Sequence, residues 1–237
     1  MELSVIMPMY NSEDIISNLN EAIMSLDNVS KDYELILVDD GSTNNCFSEA
    51  KKFKKKRVLV VGYDQNIGKG NAINYGFKFA KGEYIAFVDS GADLSPSQLK
   101  DFMRLMKKYY ADVVIGSKRH PKSKVHYPLI RQIMSKTYQI MNNLLFDLNV
   151  KDTQVGIKLF KRKVLDKVMP RILVKKFAFD LEVLVLTKKN KFKIIEAPIT
   201  MRHKFKSSIN IKSVFWMLWD TAAVFYRLKI LKYYDKN

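Results

Sequence analysis

Residues 34–42 read ELILVDDGS, a run of large apolar residues that ends in two aspartates, a glycine and a serine. A short, uninterrupted apolar run bounded by turn residues is typical of a strand buried on both faces. Residues 4–11, SVIMPMYN, have the same form, because an apolar run again ends at a polar loop. The two stretches predict buried strands with polar side chains gathered at their ends.

On either side of these two stretches, strand-like runs alternate with longer amphipathic stretches through roughly the first half of the 237 residues. This alternation is typical of βαβ units around a parallel sheet. Predicted strands cover residues 3–7, 34–38, 58–61, 84–88 and 113–115. Predicted helices cover residues 14–26, 47–53, 69–79 and 97–108. The predicted fold class is α/β, with a mostly parallel sheet flanked by helices.

The pattern becomes less regular after residue 116, so we divide the chain there. Residues 1–116 are predicted to bind a donor and residues 117–210 to form an acceptor-side half. That second half has a basic stretch at 118–124, an amphipathic segment at 127–146 and a strand-like run at 156–160. Residues 211–237 are predicted to form an amphipathic C-terminal helix, with Phe215, Leu218, Ala222 and Phe225 on one face.

Composition narrows the class of partner. Lys and Arg number 41 against 24 Asp and Glu, a formal net charge of +17, so an anionic partner is expected. Nucleic acid, anionic lipid and phosphorylated small molecules would each satisfy that charge. Cys46 is the only cysteine, which excludes an internal disulfide and favours a reducing cytosol. We predict no signal peptide. We also predict no transmembrane helix, because the apolar run at 214–228 is interrupted by charges and is too short to span a membrane.

Carboxylates follow two of the predicted strands, and the carboxyl ends of parallel strands are where ligands bind in such sheets. Asp39 and Asp40 could accept hydrogen bonds from a base or a ribose hydroxyl, although aspartates also serve as ordinary turn and capping residues. Asp89 and Asp93 form a close pair that suits Mg²⁺ or Mn²⁺ on a diphosphate. Here too, a simple turn is the alternative.

Two further features favour phosphate ligands. Residues 66–71, NIGKGN, place glycines at the start of a predicted helix, where backbone amides can approach an anion. Six cationic side chains follow the strand-end aspartates, and arginine binds phosphate in a bidentate manner, although most such cations are solvated. They are Lys118, Arg119, Arg131, Arg202, Lys204 and Lys206.

Taken in order, residues 4–11, 38–42, 66–72, 82–84 and Asp89 resemble the motifs of family 2 glycosyltransferases of the GT-A fold. Residues 152–160 and 179–182 are similar to those of the dolichyl-phosphate or polyprenyl-phosphate hexose synthases, which transfer mannose or glucose. The resemblance spans residues 3 to about 210.

The resemblance implies a role for each matching residue. Nucleotide-sugar contacts are expected at Pro8, Tyr10, Asn11, Glu13, Asp39, Asp40, Asn66, Lys69 and Ser90. Catalytic roles are expected for Asp89, Asp93, Gln154 and Arg131, with Asp89 and Asp93 as the metal ligands. The acceptor phosphate is expected at Lys118, Arg131, Ser135 and Arg202.

Two positions depart from the family pattern. The family usually has Asp-x-Asp at the metal, whereas Gly91 occupies the second position here and leaves Asp93 as the second ligand. Many relatives have Glu directly after Tyr-Asn, whereas Ser12 precedes Glu13 here. These departures bear on metal affinity and on ribose binding.

The reaction implied is a Mg²⁺- or Mn²⁺-dependent, inverting transfer of a hexose from a GDP- or UDP-sugar to a polyprenyl or dolichyl phosphate. The basic surface and the C-terminal helix would hold the enzyme peripherally on the cytoplasmic face of a membrane. One alternative is transfer to a saccharide hydroxyl, with a base such as Asp180. A second is a non-catalytic nucleotide-sugar or lipid-binding module. The ordered strand-end motifs argue against nucleic acid as the partner.

Overall fold

The computed structural model describes residues 1–91, 93–125, 129–202 and 211–235, without the side chains of Arg131 and Ile211. The predicted contacts of Arg131, Lys204 and Lys206 therefore lie outside the described residues. Within the described ranges, one sheet contains β1 (Leu3–Met9), β2 (Tyr33–Asp40), β3 (Val58–Tyr63), β4 (Tyr84–Val88), β5 (Val113–Ser117), β6 (Ile157–Lys161) and β7 (Ile194–Pro198).

The order of the strands across the sheet is β3-β2-β1-β4-β6-β5-β7. Strands β1 to β4 pair in parallel, as do β5 and β7. Strand β6 runs antiparallel to both of its neighbours, β4 and β5. The predicted α/β class with a mostly parallel sheet is confirmed, and the strand-like run at 156–160 joins that sheet in the reverse direction.

Helices cover both faces of the sheet. They are α1 (Ile15–Leu26), α2 (Cys46–Lys52), α3 (Lys69–Phe77), α4 (Leu99–Lys108), α5 (Leu129–Phe146), α6 (Arg162–Val168), α7 (Phe179–Lys189) and α8 (Ile211–Phe225). Alternate strand residues point to opposite faces, so Val5 packs with α1, α2 and α4, whereas Ile6 packs with α3, α6 and α7. The sheet therefore lies between two apolar layers.

The strands that carry the site extend further than predicted. Strand β1 continues through Pro8 to Met9, and β2 includes Asp39 and Asp40, because each pairs in register with its neighbour. Helix α4 begins at Leu99 rather than 97, since a short 3₁₀ turn over Pro96–Gln98 precedes it. The other strands and helices predicted within residues 3–115 differ by at most two residues at each end, whereas the C-terminal helix predicted over 211–237 ends as an α-helix at Phe225.

The buried carboxylate of Glu182 fastens the end of the described chain to the body of the protein. It accepts hydrogen bonds from the backbone amides of Leu173 (3.0 Å) and Val174 (2.7 Å). It also accepts from Arg227 (3.2 Å) and from the Tyr234 hydroxyl. Four donors thus satisfy this carboxylate, as a buried charge requires.

Helix α8 packs on the body through Val224 and Thr221 and continues as a π-helical turn, Tyr226–Ile230. Three of the residues predicted to share one face, Phe215, Leu218 and Ala222, are exposed. The same helix exposes Trp216 and Trp219, and α5, which contacts α8, exposes Leu129, Ile130, Ile133 and Leu144. None of the described helices is both long enough and apolar enough to cross a membrane.

Candidate active site

A cleft of about 690 Å³ lies at the carboxyl edge of the sheet. It lies next to the ends of β1, β2 and β4, the start of α3, the segment before β6 and residues 176–180. Its lining consists of Pro8, Met9, Tyr10, Asp40, Asn66, Gly68, Lys69, Asp89, Ser90, Gly91, Gln154, Lys176, Phe177, Asp180 and Trp216. The structure therefore brings together most of the residues predicted to bind the donor.

The reversed strand β6 explains how Gln154 reaches this edge. Because β6 runs antiparallel to β4, the residues before it lie beside the residues that follow β4. The Asp89 amide donates to the Gly156 carbonyl at 2.9 Å. A Cβ at residue 156 would lie 2.1 Å from Asp89 Oδ2, so only glycine allows this position of the carboxylate. Gln154 Nε2 is buried and has no hydrogen-bond partner within the described residues, which leaves it available to a ligand.

Asp39 lies at the end of β2, between Met9 of β1 and Gly62 of β3. It is buried, and its Oδ2 accepts a hydrogen bond from the Ser42 amide at 3.0 Å. Its Oδ1 is buried without a partner in the described part of the chain. A buried acceptor without a donor is costly, so this oxygen is a strong candidate for a ligand contact.

Asp40 has a different environment, although it lines the cleft. Its carboxylate accepts from the Tyr63 hydroxyl at 2.6 Å and from Asn66 Nδ2 at 3.1 Å. The amides of Ile67 and Gly68 also donate to it, at 3.0 to 3.1 Å. Burial and this carboxylate together raise the pKa of Tyr63 well above its usual range. Asp40 thus fastens the loop before α3 to the sheet, and Asn66 is held by that contact.

Asn11 joins the loops that follow β1 and β2. Its backbone has a φ of 48°, a left-handed conformation that asparagine tolerates better than most residues. Its Oδ1 accepts from the Thr43 amide at 2.8 Å, and its own amide donates to the Ser42 hydroxyl at 2.9 Å. Neighbouring Tyr10 is half exposed on the cleft wall. Glu13 is exposed and is not among the cleft-lining residues.

Four charged side chains form a row at the cleft in which positive and negative charges alternate. Lys69 Nζ lies 2.7 Å from Asp89 and 3.5 Å from Asp180, and Lys158 Nζ lies 2.8 Å from Asp180. Burial alone would lower the pKa of Lys69, but the two carboxylates outweigh it and raise that pKa. Burial lowers the pKa of Lys158, which is the most buried member of the row.

Asp180, the buried carboxylate of this row, has a lowered pKa. Its burial would raise the pKa, but the adjacent ammonium groups of Lys158 and Lys69 reverse that effect. Asp180 is therefore a firmly ionised group that neutralises two lysines. The sequence signal for this ion pair was the single lysine, Lys158, within the apolar run at 157–160. A lysine in a buried strand requires a carboxylate partner.

Asp89 and Asp93 both line a smaller cavity of about 130 Å³ that adjoins the cleft. Their oxygens suit Mg²⁺ or Mn²⁺, which usually takes one or two carboxylates and completes its shell with water and phosphate oxygens. No cluster of three acidic, histidine or cysteine side chains occurs among the described residues. The residues present fit a metal that binds together with a diphosphate.

Of the four residues predicted to bind the acceptor phosphate, the three whose side chains the structure describes are each paired with another group, and Lys118 lines the smaller cavity beside Asp89 and Asp93. Lys118 Nζ pairs with buried Asp152 at 2.9 Å. The Arg202 guanidinium pairs with Glu21, and the Ser135 hydroxyl accepts from Arg119 at 2.9 Å. None of these three predicted residues lines the main cleft. Sequence reasoning missed Lys176, Phe177 and Trp216, which do line it and carry no motif.

Comparison with known proteins identifies similar enzymes. A dolichyl-phosphate beta-glucosyltransferase of Trichomonas vaginalis is 30% identical over 251 residues, which cover 99% of this chain and 77% of that protein. The enzymes of the same description from Dictyostelium discoideum and Saccharomyces cerevisiae are 30% and 29% identical. The alignments cover 83% and 84% of this chain, and 65% and 66% of those two proteins, so the chain spans slightly less than two thirds of their length.

Solved structures show the same fold at lower identity. Mannosyl-3-phosphoglycerate synthase from Rubrobacter xylanophilus matches with a TM-score of 0.74 at 14% identity, covering 100% of this chain and 76% of that one. Glucosyl-3-phosphoglycerate synthase from Mycobacterium tuberculosis, in complex with uridine diphosphate, matches with a TM-score of 0.71 at 17% identity, covering 95% and 79%. The predicted GT-A fold is confirmed.

The model of the family described as glycosyl transferase family 2 matches residues 4–169, which contain β1 to β6 and most of the cleft lining. The match covers well over half of the chain and includes Asp39 and Asp40 at the end of β2. This chain belongs to glycosyl transferase family 2.

Proposed function

We propose that this chain transfers glucose from UDP-glucose to a polyprenyl phosphate of the dolichyl type, with inversion at the anomeric carbon. The observation that supports the proposal most is the pairing of the buried Asp180 carboxylate with Lys158 at 2.8 Å and with Lys69 at 3.5 Å. The relatives named above as dolichyl-phosphate beta-glucosyltransferases support the same acceptor and sugar.

The state of Asp180 separates the two classes of acceptor. A saccharide hydroxyl needs a general base, and a base is most effective when its pKa lies near the working pH. Lys158 and Lys69 hold the pKa of Asp180 below its ordinary value. A carboxylate held in this way is a weak base, whereas a phosphate monoester is already anionic and needs no base. The cleft is thus better suited to a phosphate acceptor.

The environment of Asp39 favours uridine over guanosine in the donor. Oδ2 of this carboxylate already accepts from the Ser42 amide, which leaves Oδ1 as the oxygen without a donor. Uracil presents one imide N–H between two carbonyls. Guanine presents two adjacent donors that would occupy both carboxylate oxygens. A single open acceptor matches the single donor of uracil.

In the proposed reaction, a phosphate oxygen of the acceptor forms a bond to the anomeric carbon while the bond from that carbon to the diphosphate breaks. UDP departs, and no proton is transferred. A divalent cation bound by Asp89 and Asp93 would neutralise charge on the leaving diphosphate. Lys69 adds a fixed positive charge beside Asp89, and the unpartnered Nε2 of Gln154 can hold a sugar hydroxyl.

We place the enzyme at the cytoplasmic face of a membrane, peripherally attached. The support is the row of exposed apolar side chains on α5 and α8 in a protein of net charge +17. Apolar side chains inserted at an interface and cations facing anionic headgroups reinforce one another. The predicted membrane-interfacial role of residues 211–237 is retained in this proposal.

The test uses purified protein, labelled UDP-glucose or GDP-mannose, polyprenyl phosphate, and Mg²⁺ or Mn²⁺, followed by extraction into organic solvent. We expect label in the organic phase from UDP-glucose. Label confined to a water-soluble glycan would support the hydroxyl-acceptor alternative, and nucleotide binding without turnover would support a binding module. Asp89→Ala should abolish turnover and Asp93→Ala should weaken metal dependence, so wild-type rates in these variants would refute the assigned roles.

A further inference from the structure

A second cavity of about 570 Å³, here called the α8 groove, lies between residues 173–177 and helix α8. It shares four lining residues with the cleft, namely Asn66, Lys176, Phe177 and Trp216. The two spaces therefore adjoin each other along these four side chains. A ligand that reacts in the cleft is within reach of the α8 groove.

The wall of the α8 groove is largely apolar where it leaves the cleft. Leu173, Val174, Trp219 and Ala223 all contribute to it. The wall has four charged members, of which Lys175 and Lys176 are exposed, whereas Asp220 and Arg227 are paired within the protein. Arg227 donates to Glu182 at 3.2 Å and to the Tyr234 hydroxyl at 2.9 Å, and Asp220 accepts from the Ala178 amide at 3.4 Å. The remaining surface suits an uncharged chain.

Lys176 is an exposed cation at the junction between the cleft and the α8 groove. Lys176 lines both spaces, and no ion pair of its ammonium group occurs in the part of the chain that the structure describes. Its side chain packs on Gly68, where an added Cβ would lie 2.6 Å from Lys176 Cγ. Three of the cations or hydroxyls predicted for the acceptor phosphate are already paired, so this lysine is the better placed partner.

Two exposed tryptophans of α8 belong to the wall of the α8 groove. Trp216 is 52% exposed and Trp219 is 61% exposed, and both also line the groove. An apolar chain leaving the groove would therefore meet further apolar side chains. A polar ligand such as an oligosaccharide would find few hydrogen-bond partners along this path.

We propose that the α8 groove binds the isoprene units nearest to the phosphate of the acceptor, and that Lys176 Nζ binds that phosphate at the junction with the cleft. This inference rests on the proposed function for its choice of occupant. It assigns the acceptor phosphate to a lysine outside the family motifs. It also makes Trp216 and Trp219 contacts of the lipid chain.

The tryptophans allow a direct test, because they are the only two in the chain and both line the α8 groove. We would titrate the purified wild-type protein with farnesyl phosphate below its aggregation concentration and record tryptophan fluorescence. Farnesol and inorganic phosphate serve as separate probes of the chain and of the anion. We expect a saturable change with farnesyl phosphate and binding at least about tenfold weaker for either probe alone.

Matched variants locate the ligand. Lys176→Ala should raise the dissociation constant of farnesyl phosphate about tenfold, whereas Lys100→Ala, at an exposed lysine on α4, should not change it. Trp219→Ala should raise it about fivefold, whereas Phe215→Ala removes an equally exposed aromatic of α8 that lies outside the groove. The KM for farnesyl phosphate should rise in parallel in the groove variants, with little change in the KM for UDP-glucose.

The outcomes separate this inference from the proposed function. Transfer to polyprenyl phosphate by the wild-type protein, together with unchanged farnesyl phosphate binding in Lys176→Ala and Trp219→Ala, would overturn the α8 groove and leave the function standing. Saturable binding that depends on both residues, without transfer of label, would support the groove and reject the function. Equal losses in Phe215→Ala and Trp219→Ala would indicate general adsorption to α8 and would also overturn the groove.

Discussion

Replacing Gly156 by alanine should move the Asp89 carboxylate by a distance that follows from the structure. The added Cβ would lie 2.1 Å from Oδ2 and 2.5 Å from Cγ of Asp89, whereas contacts below 3.0 Å are essentially never seen for a Cβ. Oδ2 must therefore retreat by about 0.9 Å, and the other oxygen of the same carboxylate, Oδ1, is the one that contacts Lys69 at 2.7 Å. The atoms in the way belong to a half-exposed side chain, so the protein should still fold.

A displacement of about 1 Å at a reacting centre can reduce the rate about 100-fold, which corresponds to about 2.7 kcal/mol of transition-state stabilisation. We expect a loss of this size in kcat/KM of Gly156→Ala, measured with UDP-glucose and polyprenyl phosphate. Because Asp89 is the proposed metal ligand, the dissociation constant of Mn²⁺ should rise about tenfold or more in a titration followed by electron paramagnetic resonance.

Gly91→Ala is the matched control, since it also adds one methyl group near the carboxylates proposed to bind the metal. The nearest atom to a Cβ at that residue is Asp93 Oδ2 at 3.9 Å, an ordinary contact. Both measured quantities should change by less than about threefold in this variant. If Gly156→Ala retained wild-type Mn²⁺ affinity and kcat/KM while melting at the wild-type temperature, the role assigned to the Asp89 carboxylate would be wrong.

Three further predictions concern the charged row and the metal pair. Asp180→Asn leaves Lys158 buried without its carboxylate, so urea denaturation at pH 7 should show a loss of about 3–5 kcal/mol, and a loss below about 1 kcal/mol would contradict the buried pairing. The pKa of Asp180 is lowered in the folded protein, so the ionised carboxylate stabilises the fold above the unfolded-state pKa of about 4, and this stabilisation is lost as the pH falls through the folded-state pKa. The difference in unfolding free energy between wild type and Asp180→Asn should therefore shrink in acid. A difference that stays constant with pH would refute this. Gly91→Asp restores a carboxylate at the second family position, where open space is available, and calorimetry should show Mn²⁺ binding about fivefold tighter; weaker binding would show that the metal lies elsewhere.

The parallel half of the sheet could be predicted from the sequence because its strands and helices alternate with clear patterns. Strand β6 could be located but not oriented, since no local property of residues 157–161 specifies the direction of pairing. Helix α7 was missed because Phe179 to Thr187 are all buried, which removes the periodicity that marks an amphipathic helix.

The site could be predicted from the sequence only where the order of the strands brings the loops that follow them to the same edge of the sheet. Asp39, Asp89 and Gln154 carry motifs and reach one edge of the sheet. The ion pair between Lys118 and Asp152 could not be predicted, because it joins segments 34 residues apart whose side chains have no shared pattern. Lys176 is likewise one of many lysines until its position at a junction of two cavities is known.

The hydrogen bonds of Glu182 have a mechanical consequence for this enzyme. One carboxylate binds the amides of Leu173 and Val174 on one side, and Arg227 and Tyr234 on the other. A tilt of α8 would have to break these bonds or carry residues 173–174 along with it. The segment that follows α8 and residues 173–174 should therefore move as one unit, so that a change in the tilt of α8 would preserve the width of the α8 groove at this point.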